Sequence, residues 1–435
     1  MAAGAGQPEL DANCRAWQGH QPVRQNDGSQ DSAGAVRSGL DVCTDVARPS
    51  NSVTVDDLVA GSKTASPVRG VEWGGAHRSR ARLLAFYLPQ YHPIPENDAA
   101  WGAGFTEWTH VVRARPLFCG HEQPRLPGEL GFYDLRIPEV REAQARLAVE
   151  HGIEGFCYWH YWMGGGRRLL DRPFTEVLSS GRPELPFCLA WANESWTGKW
   201  HGAPDRVLVE QTYPGGSDDA RHFECVLPAL LDRRYVRVEG APLFIVYKPA
   251  SLPDARGFTT LWRRLAAQAG LPGICLLGIQ TAQWNPQEYG FDGAIVQPIT
   301  WMMAARTSRS HLCSRVRRAV DGILPGPKRV SYQDYARCAL PPLGDGGDQY
   351  PCIMPNWDNT PRAKRDGWVI EGGTPEAYAM LVSDAIKQVQ SRPWERRIVF
   401  VKSWNEWAEG NYLEPDQRWR RGYLEATRGA VQTAG

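Results

Sequence analysis

From Arg82 onward the chain carries eight short, nearly continuous apolar runs: Arg82–Leu88, Ile153–Trp159, Pro186–Ala192, Pro242–Tyr247, Ile274–Gln280, Ala294–Gln297, Pro351–Met354 and Arg397–Ser403. A strand that lacks apolar/polar alternation is one buried on both faces, the state of strands in a parallel sheet covered by helices. The stretches between the runs carry helical signals. Pro138–His151 (PEVREAQARLAVEH) has Pro in its first turn and stops before Gly152. Thr374–Gln390 offers Thr374 as an N-cap, Pro375 at the first helical position and apolar residues at helical spacing. Eight βα units in about 350 residues predict an α/β fold, a (β/α)8 TIM-type barrel. An open doubly wound sheet is the alternative, but no Gly-x-Gly-x-x-Gly turn follows the first run. Val207–Gln211 is a candidate for an additional strand.

Residues 1–78 differ from the rest. Of the chain's 18 Trp, 15 Tyr and 12 Phe they hold only Trp17 and Trp73, and they are rich in Gly, Ala, Ser and Asp. Such a segment cannot bury enough apolar area to offset its ordering entropy. The expected organisation is a disordered, low-complexity extension over 1–78 and a barrel over 79–435, with a basic insertion at about 301–349. Within Trp301–Leu340 eight basic residues (Arg306, Arg309, Arg315, Arg317, Arg318, Lys328, Arg329, Arg337) face two acidic ones, Asp321 and Asp334. That run suits anionic lipid headgroups or a diphosphate-linked glycan, although a solvated helix face is the commoner meaning.

The overall charge of +1 argues against a nucleic-acid binder that works by bulk potential. The ten cysteines are scattered, with no Cys-x-x-Cys pair and no zinc spacing, and Cys188 lies in the apolar stretch Leu185–Ala190. That usage fits a reducing compartment. Met1–Asn13 has neither a basic start nor an apolar stretch of signal length. No run of about 18 apolar residues occurs. The expected location is the cytoplasm, peripheral to the inner membrane if the basic insertion meets lipid.

Barrel active sites form at the C-terminal ends of the strands, so the residues after each run are the candidates. The first run leads into Gln90-Tyr91-His92 and the second into Trp159-His160-Tyr161-Trp162. The third reaches Asn193 and Glu194, with Trp196 and Trp200 beyond, and the fourth Tyr247-Lys248. The fifth reaches Gln280, the sixth Gln297 and the seventh Asn356-Trp357-Asp358. The eighth leads into Trp404-Asn405-Glu406-Trp407, then Glu409 and Glu414. Trp101–Thr109, which holds Trp108, reads as an aromatic loop closing over the cleft. Flat aromatic faces match the C–H face of a pyranose, and its hydroxyls need polar partners. Trp as core filler is the plainer alternative, but the strand-end placement favours a cleft for an oligo- or polysaccharide.

Glu406 and Glu409 are the sharpest pair. Carboxylates three residues apart share one space if the chain makes a helical turn, and their repulsion leaves one protonated near neutrality. Glycosidic chemistry needs such an acid beside a base or nucleophile. The plainer reading makes Glu406 a cap for a backbone N–H and Glu409 a solvated loop residue. His92 and His160 are acid/base candidates or simply hydrogen-bonded imidazoles. Glu194 is a third carboxylate or a hydroxyl ligand, Asp358 orients a base or binds a hydroxyl, and Lys248 satisfies a carboxylate at the barrel end.

AFYLPQYHPIPEND (85–98), WGAGFTEW (101–108), GIEGFCYWHYW (152–162), LAWANESWT (189–197), Asn356-Trp357-Asp358-Asn359 and SWNEWAEGNYLEPD (403–416) together resemble, in order, the WbsX-type proteins. These are bacterial proteins with a domain similar to glycoside hydrolase family 99, the endo-α-mannosidases, and the resemblance covers about residues 82–427. It implies a (β/α)8 barrel with Glu406 as the base on the sugar 2-hydroxyl and Glu409 as the acid/base at the leaving oxygen. A 1,2-anhydro sugar is then opened with overall retention, and no metal or organic cofactor is implied. Ala408 departs from the polar residue expected in the mannosidases. WbsX-type proteins were named glycosyltransferases because they accompany surface-polysaccharide assembly, yet no nucleotide-binding Gly turn or Asp-x-Asp metal loop is present here. The expectation is a retaining, endo-acting hydrolase or transglycosylase of a lipopolysaccharide O-antigen or capsule. Its partners are that polysaccharide or a lipid-linked glycan at the inner membrane surface, and no nucleic acid. A sugar-nucleotide-dependent glycosyltransferase and a non-catalytic glycan-binding barrel are the alternatives.

Overall fold

The computed structural model describes residues 79–198, 207–280, 284–296, 326–343 and 348–432. The expected N-terminal extension, Trp200, Gln297 and most of the basic insertion lie outside the described residues.

All eight apolar runs form strands: β1 (Arg82–Tyr87), β2 (Gly155–Trp162), β3 (Phe187–Trp191), β4 (Ala241–Val246), β5 (Cys275–Gln280), β6 (Gly293–Val296), β7 (Gln349–Ile353) and β8 (Ile398–Val401). Each pairs in parallel with its neighbours in the order β1-β8-β7-β6-β5-β4-β3-β2, and β2 returns to β1. Leu84 shows the closure within one residue, standing opposite Phe400 on one side and Gly155 on the other. The ring is the expected (β/α)8 barrel. Every residue of β1, β2, β3, β6 and β8 is buried, which is why these strands show no alternation in sequence. Gly155 opens β2 where a Cβ would collide with the Pro186 carbonyl, just ahead of β3. Only glycine lets the two strands approach there.

The outer layer consists of α1 (Pro138–Glu150), α2 (Arg172–Ser180), α3 (Gly216–Leu231), α4 (Ala255–Gln268), α5 (Tyr332–Ala339), α6 (Pro375–Val389) and α7 (Gly422–Val431). Between β5 and β6 the described chain makes only the 3-10 turn Pro286–Tyr289. The boundaries of α1 and α6 follow the Pro signals. Thr374 caps α6, its hydroxyl accepting the Ala377 N–H at 3.2 Å. Tyr378, Leu381, Val382, Ala385, Ile386 and Val389 of α6 are buried, at helical spacing on one face.

The additional strand exists but stands outside the barrel: Val207–Val209 pairs antiparallel with Trp196–Thr197. Lys328–Ser331 pairs in parallel with Trp368–Glu371 to form a second small sheet. The basic residues of the insertion that fall within the described residues are engaged locally. Arg329 pairs with Glu371 at 2.6 Å, Arg337 with Asp334 at 3.3 Å, and the Lys328 ammonium lies 5.1 Å from the Trp368 ring centre. The seven cysteines among the described residues are free thiols.

Two substitutions of different cost test this account. Thr374→Ala removes one cap and is expected to lower stability by about 1 kcal/mol in denaturant unfolding. Gly155→Ala forces a Cβ against a fixed carbonyl between two paired strands and is expected to cost clearly more. Equal losses would show that the β2–β3 approach is not tight.

Candidate active site

The candidate site begins where β8 ends. After Lys402 and Ser403, the Trp404 N–H donates to Phe86 O at 2.7 Å, so the chain stays against β1 as it leaves the ring. Asn405–Glu406 then pairs antiparallel with Asn411–Tyr412, and the 3-10 turn Trp407–Glu409 joins them. Gly410 closes the turn at φ 56°, a left-handed conformation, and a Cβ there would lie 2.9 Å from Asp358 Cβ. This tight hairpin places the Glu406 and Glu409 carboxylates in the same cleft.

Both carboxylates belong to a buried cluster of five charged groups. Lys402 Nζ donates to Glu406 Oε2 at 2.7 Å and to Glu409 Oε2 at 3.3 Å. Arg362 Nη1 donates to Glu409 Oε1 at 2.7 Å, while its Nε and Nη2 reach Glu107 Oε2 at 3.2 and 2.8 Å. The Lys402 ammonium lies 5.0 Å from the Trp357 ring centre. Three carboxylates thus face two cations, and a single proton makes the cluster neutral. Burial pushes the Glu406 carboxyl above its ordinary range and Glu409 adds to this, with Lys402 and Arg362 pulling back. Glu107 is likewise raised by burial, against the pull of Arg362. Burial works against the charge on Lys402, yet Glu406 and Glu409 hold its pKa above the usual value.

The cleft is lined by the aromatic residues Trp159, Tyr161, Trp196, Tyr247 and Trp357 and by the polar residues Gln90, Asn97, Glu107, Glu194, Arg362, Lys402, Glu406 and Glu409. Of the residues expected from sequence, Gln90, Trp159, Tyr161, Glu194, Trp196, Tyr247, Trp357, Glu406 and Glu409 line it. Lys248 forms an ion pair with Glu194, as expected for a lysine beside a barrel-end carboxylate.

The other expected ligands among the described residues do not line this cleft, and their side chains are engaged within the fold. Along β2 side chains alternate, so with Trp159 and Tyr161 facing the cleft, His160 and Trp162 turn outward to α3. There His160 Nε2 meets His222 Nε2 at 2.9 Å and Trp162 Nε1 donates to Asp218 at 2.9 Å. Tyr91 donates to the Asn405 carbonyl and accepts the Trp407 N–H at 3.2 Å. Trp108 Nε1 donates to Tyr133 O at 2.8 Å, and its ring packs 5.6 Å from that of Trp407. Glu414 is buried and accepts from Trp407 Nε1, Gln144 and Tyr133 at 2.6 to 2.8 Å, and burial pushes its carboxyl up to about 7 against those bonds. Asn405 bonds both backbone groups of Leu88, at 2.7 and 3.0 Å, and Trp404 is fully buried. His92 Nδ1 lies 3.0 Å from Pro89 O, and Asn193 bridges the N–H and C=O of Lys248 at 2.7 and 2.8 Å.

Asp358 is fully buried and does not line the cleft. It takes His121 and Gln123 at 2.8 Å each and Thr360 Oγ1 at 2.6 Å, while its own N–H donates to Glu409 O at 2.6 Å. It thereby ties the loop that carries Arg362 to the turn that carries Glu409. Asn356 accepts the Trp357 N–H at 2.9 Å and faces a second cavity, with Tyr412 and Trp419. Sequence reasoning missed Glu107, Arg362 and Lys402. Lys402 had a visible signal, a single charge directly after the apolar run of β8, whereas Arg362 and Glu107 meet across 255 residues with no local mark.

The profile of the family described as Glycosyltransferase WbsX matches residues 83–427. A protein described as uncharacterized protein WxcX, from two strains of Xanthomonas campestris pv. campestris, is 40% identical over 357 residues, or 81% of this chain and 50% of the relative. The chain therefore spans about half the length of the curated relatives it matches. Among solved structures, a glycoside hydrolase-like protein superposes with a TM-score of 0.54 at 13% identity, covering 85% of this chain and 98% of the other, a likeness of fold. The GH99 endo-α-mannosidase from Bacteroides thetaiotaomicron superposes with a TM-score of 0.46 at 14% identity, covering 80% of this chain and 96% of the other.

The His160–His222 pair gives a pH prediction. Burial holds His160 down at about 3 and His222 well below its ordinary value, so both are neutral in the fold. The unfolded chain binds protons on them below about 6.5 and the folded protein refuses them, so stability falls as pH drops from there toward 3. Each imidazole contributes up to about 1.4 kcal/mol per pH unit. Thermal unfolding from pH 7 to 5 should show a steep loss for the parent and a shallower one for His160→Gln. Equal slopes would exclude the pair as the source.

Proposed function

The chain belongs to the WbsX glycosyltransferase family, and from that premise we propose that it is a glycan-processing enzyme that acts on glycosidic bonds with Glu406 and Glu409. The observation that carries this reading is the convergence of both carboxylates on one cleft that aromatic rings also line. Such a site binds a pyranose by its C–H face and its hydroxyls together.

The reaction we infer uses the proton that neutralises the cluster. Glu406 takes the proton of the sugar 2-hydroxyl as that oxygen attacks the anomeric carbon. The bond from that carbon to the leaving oxygen breaks, and the leaving oxygen receives a proton from Glu409. The resulting 1,2-anhydro sugar is opened by a water or a sugar hydroxyl, which returns its proton to Glu409 while Glu406 gives its proton back to the 2-oxygen. Two inversions give net retention. Lys402 supports Glu406 as the base, because its ammonium bonds that carboxylate at 2.7 Å. The substrate we propose is a bacterial surface polysaccharide, free or lipid-linked. Among the described residues no helix is long and apolar enough to cross a membrane, so a lipid-linked chain would be met from the aqueous side. The family's description as a glycosyltransferase favours a second reading, in which a sugar hydroxyl rather than water opens the intermediate.

The test is to incubate the parent, Glu406→Gln and Glu409→Gln with the host's surface polysaccharide and follow product size and anomeric configuration by NMR. The parent should shorten or re-join chains with retention, and each variant should lose about 10²-fold or more in rate. Consumption of a sugar nucleotide without cleavage of any glycan would overturn the hydrolytic reading. Glycan binding that survives both substitutions, with no turnover by the parent, would leave a binding barrel.

A further inference from the structure

Glu406 occupies a place where a negative charge is hard to keep. It is buried, and the groups that face it are mostly acidic or apolar. The 3-10 turn contributes Glu409, the segment before helix Trp108–Arg113 contributes Glu107, β2 contributes the Tyr161 phenol, and β7 contributes the Cys352 thiol. Two cations oppose them. Arg362 is committed elsewhere, since its described hydrogen bonds go to Glu107 and Glu409. Lys402 is the cation that bonds Glu406 directly, at 2.7 Å.

Lys402 is also held in place. It leaves the barrel at the end of β8, its side chain is 11% exposed, and its ammonium lies near the Trp357 ring on one side and the two carboxylates on the other. A fixed positive charge among buried groups acts far more strongly than the same charge in solvent.

We propose that Lys402 is the positioning residue of the Glu406/Glu409 pair, the described cation bonded to Glu406, which keeps Glu406 ionised as the base. Lys402 itself exchanges no proton and touches no bond that breaks. This inference rests on the roles given to the two glutamates above, and it also has a consequence that needs no substrate.

The first measurement is thermal stability against pH for the full chain as parent, Lys402→Met, Lys402→Arg and the double variant Lys402→Met/Glu406→Gln. With Met in place, three carboxylates face Arg362 alone. The folded protein then holds a proton that the unfolded chain releases above its ordinary carboxyl range, so stability drops as pH rises. The Tm gap between parent and Lys402→Met should therefore widen from pH 5 to 8, to the point that the variant is folded only at the acid end. The double variant, which removes charge from both sides, should show no such widening, and Lys402→Arg should track the parent. A gap constant with pH, or one that persists in the double variant, overturns the proposal. The second measurement is the pH profile of kcat/KM on the polysaccharide. In Lys402→Met the acid limb should move up by about one unit or more, so the loss at pH 6 exceeds the loss at pH 8 by about tenfold. Lys402→Arg should restore the limb, and a uniform loss at every pH overturns the proposal. If the parent turns over no glycan, the enzymatic reading fails while the stability measurement still decides the role of Lys402.

Discussion

A buried charge must find a partner, and at the open end of this barrel five of them find one another. Glu107, Arg362, Lys402, Glu406 and Glu409 come from three separate stretches of chain, and each of these stretches is held where it is by the need to pair. Arg362 illustrates the constraint: its fork spans Glu107 on one side and Glu409 on the other, so the loop after β1 and the loop after β7 meet through one guanidinium. Removing either carboxylate leaves the other to hold the arginine alone, in a place where water does not compensate. Asp358 reinforces the arrangement from below, because the same residue collects His121, Gln123 and Thr360 and hands its N–H to the Glu409 carbonyl. The cleft is open, yet its chemistry is rigid.

The tryptophans divide into populations that composition alone could not separate. Trp159, Trp196 and Trp357 face the cleft. Trp162, Trp191 and Trp262 surround the His222 imidazole between the ring and its outer helices, with centroid distances of 4.7 to 5.1 Å. Trp108 and Trp407 support the hairpin from beneath, with Tyr412 stacked on Trp407 at 3.8 Å. Both readings of the aromatic content therefore hold, one for each place. The indole is used as filler where a helix must be spaced from a strand, and as a wall where a ring can lie against it.

The fold was legible because its signal is local. Strands buried on both faces must be apolar throughout, and all eight runs announced themselves for that reason. The Glu406/Glu409 pair was legible too, since a spacing of three shares one space if the chain makes a helical turn, and the chain makes that turn and closes it with Gly410. What remained hidden depends on distance along the chain or on side-chain direction. Glu107 and Arg362 are each unremarkable in their own segments and gain meaning only together. His160 was misplaced because a run of aromatic residues hides the period of two that turns it away from its neighbours. Asp358 and Glu414 had the right chemistry at the right strand ends, but a carboxylate ringed by donors serves the scaffold, and only the partners reveal which use prevails.

The way the ring closes has a consequence for how the protein comes into being. Because β1 is flanked by β2 and β8, the first strand made waits for the last one, and a nascent chain that ends before Ile398 presents two unpaired edges, on β1 and β7. The same late segment carries Lys402, Glu406 and Glu409, so sealing of the sheet and placement of both glutamates depend on one stretch of chain.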